Sequence, residues 1–124
     1  MDWNLTGSRP IWQQLAEQLT LRILKGEYPP GSRLPAVRDI AAQAGVNPNT
    51  MQRAMAQLEQ DGLAVGGRTA GRTVTEDIAV IQEARHKRAK EAVNQCLTIL
   101  EELGYSRESA IALMKEELHH EWNI

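Results

Sequence analysis

The sequence predicts a mainly α fold with a small β-hairpin. Three observations carry this. Apolar residues recur at helical spacing in the segments that start at Ile11, Val37 and Pro48. A short β-prone, glycine-rich stretch, LAVGGRTAGRTVTE, follows Gly62. From Asp77 the pattern is helical again.

The first helix is predicted from PIWQQLAEQLTLRILKG, with Ile11, Leu15, Leu19, Ile23 and Leu24 on one stripe and Trp12 and Ala16 beside it. Ser8 is placed to cap it, Pro10 fits its first turn and Gly26 ends it. EYPPGSRLP, with three prolines and a glycine, is expected to form no regular structure. A short second helix, AVRDIAAQA, turns Val37, Ile40, Ala41 and Ala44 inward, and Gly45-Val46 turns the chain. A third helix runs from about Pro48 to Asp61 on a buried face of Met51, Ala54, Met55 and Leu58.

The β-prone stretch reads as Leu63–Val65 paired with Arg72–Thr75. An isolated hairpin is marginal in water, so it must pack on the helices. In the tail, Ala89, Val93, Cys96, Leu100 and Leu103 follow steps of four and three, a heptad-like seam. Gly104 ends that helix. Ser106 caps a last one, whose stripe is Ile111, Met114, Leu118 and Trp122.

Two short helices around a tight turn, a third helix and a hairpin make a winged helix-turn-helix arrangement over residues 1–75. Residues 76–124 supply a two-helix tail, too small for a large core of its own. The tail is expected to bury its surplus stripe against a second copy, through Val93, Cys96, Leu100, Leu103, Ile111, Met114 and Leu118.

Composition narrows the class. Of 124 residues, 42% are apolar and 24% charged, normal for a soluble globular chain, and Phe is absent. No apolar run approaches the roughly 20 residues of a membrane span. The N-terminus lacks the ordered regions of a signal peptide. A lone Cys96 fits a reducing compartment, so a cytoplasmic location is expected. Net charge is −2, but it is uneven. Residues 1–75 hold eight Lys and Arg against six Asp and Glu, and residues 76–124 six against ten. An anionic partner therefore belongs on the N-terminal part.

The third helix starts with GVNPNTMQRAM. Asn47 is a good N-cap, and Pro48 at the first helical position loses no hydrogen bond. By itself that is only a capped helix. Its outward face, however, carries Asn49, Thr50, Gln52, Arg53 and Ala56, with no carboxylate before Glu59. A helix entering a major groove must avoid acids near phosphate and offer groups that match base edges. The free N–H groups and positive dipole of its N-terminus suit a phosphate.

The run GEYPPGSRLPAVRDIAAQAGVNPNTMQRAMAQLEQDGL resembles the DNA-binding domain of GntR-type bacterial transcription regulators. The pieces that carry the likeness are Pro30-Gly31, Leu34-Pro35 through Arg38 to Ile40-Ala41, Gly45-Val46 through Thr50, and Leu58 to Gly62-Leu63. The likeness covers roughly residues 9–75, and Trp12 stands where an aromatic is usual. The short tail is similar to that of the YtrA-type branch, which implies a dimerisation unit and a repressor of a transporter-type operon. Position by position, the resemblance implies DNA contact for Arg38, Asn47, Asn49, Thr50 and Gln52. An amide at Gln52, where some relatives carry arginine, favours adenine over guanine. The wing departs from the family pattern: Thr69 and Ala70 replace a glycine and a basic residue, and Thr73 replaces an aromatic. Arg68 and Arg72 remain candidates there for a phosphate or minor-groove contact, as Arg53 is on the helix.

Other features carry less. ARHKRAK (84–90) reads as a solvated helix face. His119-His120 lacks the i, i+4 spacing of a helical metal pair, and Cys96 reads as a small buried residue of the seam. No nucleophile–base pair, phosphate loop or cofactor pattern supports an enzyme. The expected partners are a double-stranded DNA operator and a second copy of the chain, with no pattern that identifies an effector. The competing class is a winged-helix module that binds another protein, motivated by the acidic total charge and the altered wing.

Overall fold

The computed structural model describes residues 3–66 and 71–122, with side chains up to 119. The element order is α1 (Ile11–Leu24), α2 (Val37–Ala44), α3 (Pro48–Gln60), β1 (Ala64–Val65), β2 (Thr73–Val74), α4 (Ile78–Glu102) and α5 (Arg107–Trp122). The predicted mainly α fold with a hairpin is what forms. The chain divides into two compact units, Met1–Arg85 and His86–Ile124.

One core serves the first unit. Leu15, Leu19 and Ile23 of α1, Ile40 and Ala41 of α2, and Met51, Ala54, Met55 and Leu58 of α3 form it. Leu34, Leu63, Ala64, Val74 and Ile81 complete it. Leu15, Leu19, Ile40, Met51 and Leu58 are fully buried. Each such side chain contributes about 1.5–3 kcal/mol relative to exposure. The helical periodicity foresaw these positions. Further residues join them: Trp3 and Leu5, outside the predicted elements, pack on the core from the N-terminal side, and Val80 and Ala84 from the first turns of α4.

Two glycines set the turns. Gly45 (φ 70°) adopts the left-handed conformation that ends α2, and Val46 N–H donates back to Ala41 O at 3.0 Å. Gly62 (φ 80°) does the same after α3, where Leu63 N–H reaches Leu58 O at 3.0 Å. This is the physical content of the Leu58 to Gly62-Leu63 spacing: the turn drops Leu63 into the core.

β1 and β2 pair antiparallel, with Ala64 opposite Val74 and Val65 opposite Thr73. The proline-glycine loop is more ordered than its composition implies. Arg33 forms an antiparallel bridge with Thr73. Leu34 N–H donates to Arg72 O at 2.9 Å, and Val74 N–H to Ser32 O at 2.8 Å. Its prolines flank the paired residues, Ser32 to Leu34, and leave their N–H groups free to bond.

The start of α1 also differs from expectation. Pro10 is the N-cap position and makes no side-chain cap, while the Ser8 hydroxyl bonds to Thr6 Oγ1 at 2.8 Å. The work falls to Gln14, a buried polar residue at 4% exposure. Its amide accepts from Thr6 N–H and donates to Thr6 O and Arg9 O, each at 2.8 Å. Arg9 meets Glu17 through two bonds of 2.7 and 2.8 Å, and those bonds, with the carboxylate's charge second, raise its pKa. Arg22, buried, stacks 3.8 Å from the centre of the Trp3 ring.

In the tail, Asp77 Oδ1 accepts from Ala79 N–H at 3.0 Å and starts α4. Ser106 caps α5 through Ser109 N–H at 3.1 Å, as expected. No helix among the described residues is long and apolar enough to cross a membrane.

Candidate nucleic-acid interface

The N-terminus of α3 is built as a cap. Asn47 Oδ1 accepts from Asn49 N–H at 2.7 Å, and Pro48 occupies the first turn. The capping oxygen is therefore committed, and only the Asn47 –NH2 is left to donate outward. Met51, Ala54, Met55 and Leu58 hold the helix on the core, which leaves Asn49, Gln52, Arg53 and Ala56 exposed and Thr50 half-buried. No acidic residue lies in the first turn, so the positive end of the helix dipole is uncompensated.

The arginines divide among different partners. The Arg53 guanidinium lies over the Trp12 ring of α1, 4.1 Å from its centre. Arg72 Nε forms an ion pair with Glu59 Oε1, and Arg72 Nη1 donates to Gln52 Oε1 at 3.5 Å. Arg38 is exposed on α2 and has no ion pair among the described residues. Arg68 lies outside the described residues. Glu59, the first carboxylate on the outward face of α3, is taken by Arg72.

Sequence reasoning passed over Arg33. Its guanidinium packs against Gly71, whose missing Cβ would sit 3.4 Å from Arg33 Nη2. The signal was hidden because tertiary pairing, the bridge to Thr73 included, brings the loop to the hairpin. Arg33, Asp39, Glu59 and Arg72 line a cleft of about 650 Å³ together with Leu34, Val37 and Met55. At Gly66 a Cβ would meet the Glu59 carboxylate oxygens at 3.1 and 3.2 Å, so the glycine makes room for that carboxylate.

In the tail, Val93 (56%), Leu103 (70%) and Leu118 (60%) are exposed in the single chain, as are Ile99 and Ile111. Leu100 and Met114 are half-buried. Cys96, expected to be buried, is exposed here. Among the described residues no helix stripe of this chain covers that part of α4. The Trp122 side chain lies outside the described residues. Among the described residues no group of His, Cys, Asp and Glu could hold a metal ion.

The family described as "Bacterial regulatory proteins, gntR family" matches residues 11–74. The chain is 33% identical to the HTH-type transcriptional regulator YhcF of Bacillus subtilis, over 93% of this chain and 95% of that one. It is 31% identical to the HTH-type transcriptional repressor YtrA of the same organism, over 88% and 85%. Among solved structures, a GntR family transcriptional regulator from Listeria monocytogenes superposes with a TM-score of 0.82 at 32% identity, over 90% of this chain and 98% of that one.

Proposed function

The chain belongs to the GntR family of bacterial regulatory proteins, and from that premise we propose that it is a homodimeric repressor of a transporter-type operon that binds a near-palindromic DNA operator. The observation that carries the DNA reading is the front of α3. It has an uncompensated positive end, a committed cap and an exposed face of Asn49, Gln52 and Arg53 with no acid in its first turn. In this reading α3 enters the major groove. Asn49, Thr50 and Gln52 face base edges, Asn47 donates through its amide –NH2, and Arg38, Arg53 and Arg68 serve the backbone and the wing contact, while Arg72, a candidate from the sequence, is turned onto α3.

In this reading residues 1–75 carry the DNA contacts and residues 76–124 the dimerising stripe, with the first turns of α4 packed on the head's core. The exposed Val93, Leu103, Ile111 and Leu118 support this, because such side chains on two short helices gain most by pairing with a second copy. Two linked heads then reach half-sites about 10 base pairs apart. The repressor direction follows the likeness to YtrA, and the transporter link follows the branch it belongs to. A protein-binding module is the competing outcome.

The test is binding to DNA selected from a random pool, titrated at several salt concentrations. The expected result is two chains per site. Affinity should fall on the order of a thousandfold or more between 50 and 200 mM salt. Binding that ignores salt, or selection that returns no preferred sequence, overturns the reading.

A further inference from the structure

Arg72 stands at the foot of the hairpin, yet its guanidinium turns back onto α3 and is only 19% exposed. Nε is held by Glu59 and Nη1 by Gln52 Oε1. Gln52 and Glu59 are two turns apart on α3, on one face, and Arg72 bridges them from the wing side. A guanidinium has donors and no acceptor, so the Gln52 atom that faces it must be the oxygen. An unrestrained Gln amide turns over freely and offers either oxygen or –NH2 to a base. Here the guanidinium, 3.5 Å from Gln52 Oε1, favours the orientation with the oxygen toward it.

We propose that Arg72 is a positioning residue for base recognition: clamped by Glu59, it fixes the Gln52 amide with its oxygen toward the wing and its –NH2 toward the groove. The proposal rests on the reading of Gln52 as base-facing. The consequence is a donor-led contact, which gives up the two-bond pairing with adenine expected of a free amide. Guanine, adenine and thymine each present an acceptor in the major groove, whereas cytosine presents only its N4 donor there. The clamped amide therefore discriminates against cytosine at one position of each half-site. A released amide turns over and accepts from cytosine.

The full chain is compared with three variants: Gln52→Ala, Arg72→Lys, and the charge-neutral double variant Glu59→Ala with Arg72→Ala. Each is assayed against operators that differ only at the discriminated base, and at several salt concentrations. Discrimination of this kind spans about 5- to 100-fold. Arg72→Lys keeps the charge opposite Glu59 but loses the fork that reaches both partners, and should lose most of the discrimination against cytosine. The double variant should lose as much, with an unchanged salt slope and an unchanged circular dichroism spectrum.

The proposal is overturned if Arg72→Lys retains the discrimination while the double variant weakens all operators equally and lowers the salt slope by about one, since Arg72 is then a phosphate contact. If Gln52→Ala alters no base preference, the base-facing reading of Gln52 fails, and the clamp with it. If Gln52→Ala alters preference and neither Arg72 variant does, the clamp alone fails.

Discussion

The Arg53 guanidinium of α3 lies 4.1 Å from the centre of the Trp12 ring on α1. A guanidinium held over a ring keeps N–H groups open to an anion, with less conformational freedom left to lose on binding. Arg53→Ala should therefore have two effects. Stability should fall by about 0.5–1 kcal/mol, read by urea denaturation. The salt slope of DNA binding should fall by about one, as for a phosphate contact. A change in stability with an unchanged slope restricts Arg53 to holding α1 against α3.

Asn47 separates capping from recognition. Its Oδ1 already accepts from Asn49 N–H. Asn47→Ala should cost about 1 kcal/mol of stability. Asn47→Ser restores the cap but not the amide –NH2. Melting of the Ser variant should match the parent, and its operator affinity should still be reduced in a gel shift. Full affinity in the Ser variant assigns Asn47 to capping alone.

Gly66→Ala tests the same carboxylate that holds Arg72. The new methyl would sit 3.1 Å from one Glu59 carboxylate oxygen, and the flexible tip of that side chain can give way. The fold should survive within about 0.5 kcal/mol. Discrimination at the Gln52 position should loosen, measured with the same operator set, by less than in Arg72→Lys.

The tail residues are exposed enough to be changed without damage to the chain's own core. Val93→Glu or Leu118→Glu should give monomers by analytical ultracentrifugation. Operator affinity should then fall by about 10²–10⁴-fold, because the second head is no longer held nearby. Dimers that persist in both variants place the interface elsewhere.

Gln14 was not read as structural, yet it pairs three backbone groups in front of α1. Gln14→Leu keeps the volume and removes all three bonds. A loss of about 1–3 kcal/mol in urea denaturation is expected.

These residues show what a sequence can disclose. Met51, Ala54, Met55 and Leu58 declared the buried face of α3 because helical periodicity is a local property. The Leu58 to Gly62-Leu63 spacing declared its end because a left-handed glycine is a local requirement. Gln14, Arg33 and the Arg72–Glu59 pair were illegible for the opposite reason. Each depends on which distant segment arrives beside it. Arg72 lies 13 residues from Glu59, and Arg33 reaches the hairpin through tertiary pairing, the bridge to Thr73 included. The exposed face of α3 was therefore visible, while the groups packed beside it were not.

The family likeness spans residues 11–74, but Trp3 and Leu5 precede that stretch, Val80, Ile81 and Ala84 follow it, and all five pack on the same core. The stretch that marks the family is thus smaller than what folds. A chimera that grafts this head onto another regulator at the edges of the shared stretch would strip the core on two sides and leave the Arg22 guanidinium without the Trp3 ring beneath it. The transplantable cassette runs from residue 3 to residue 85, and the first turns of α4 travel with the head rather than with the tail.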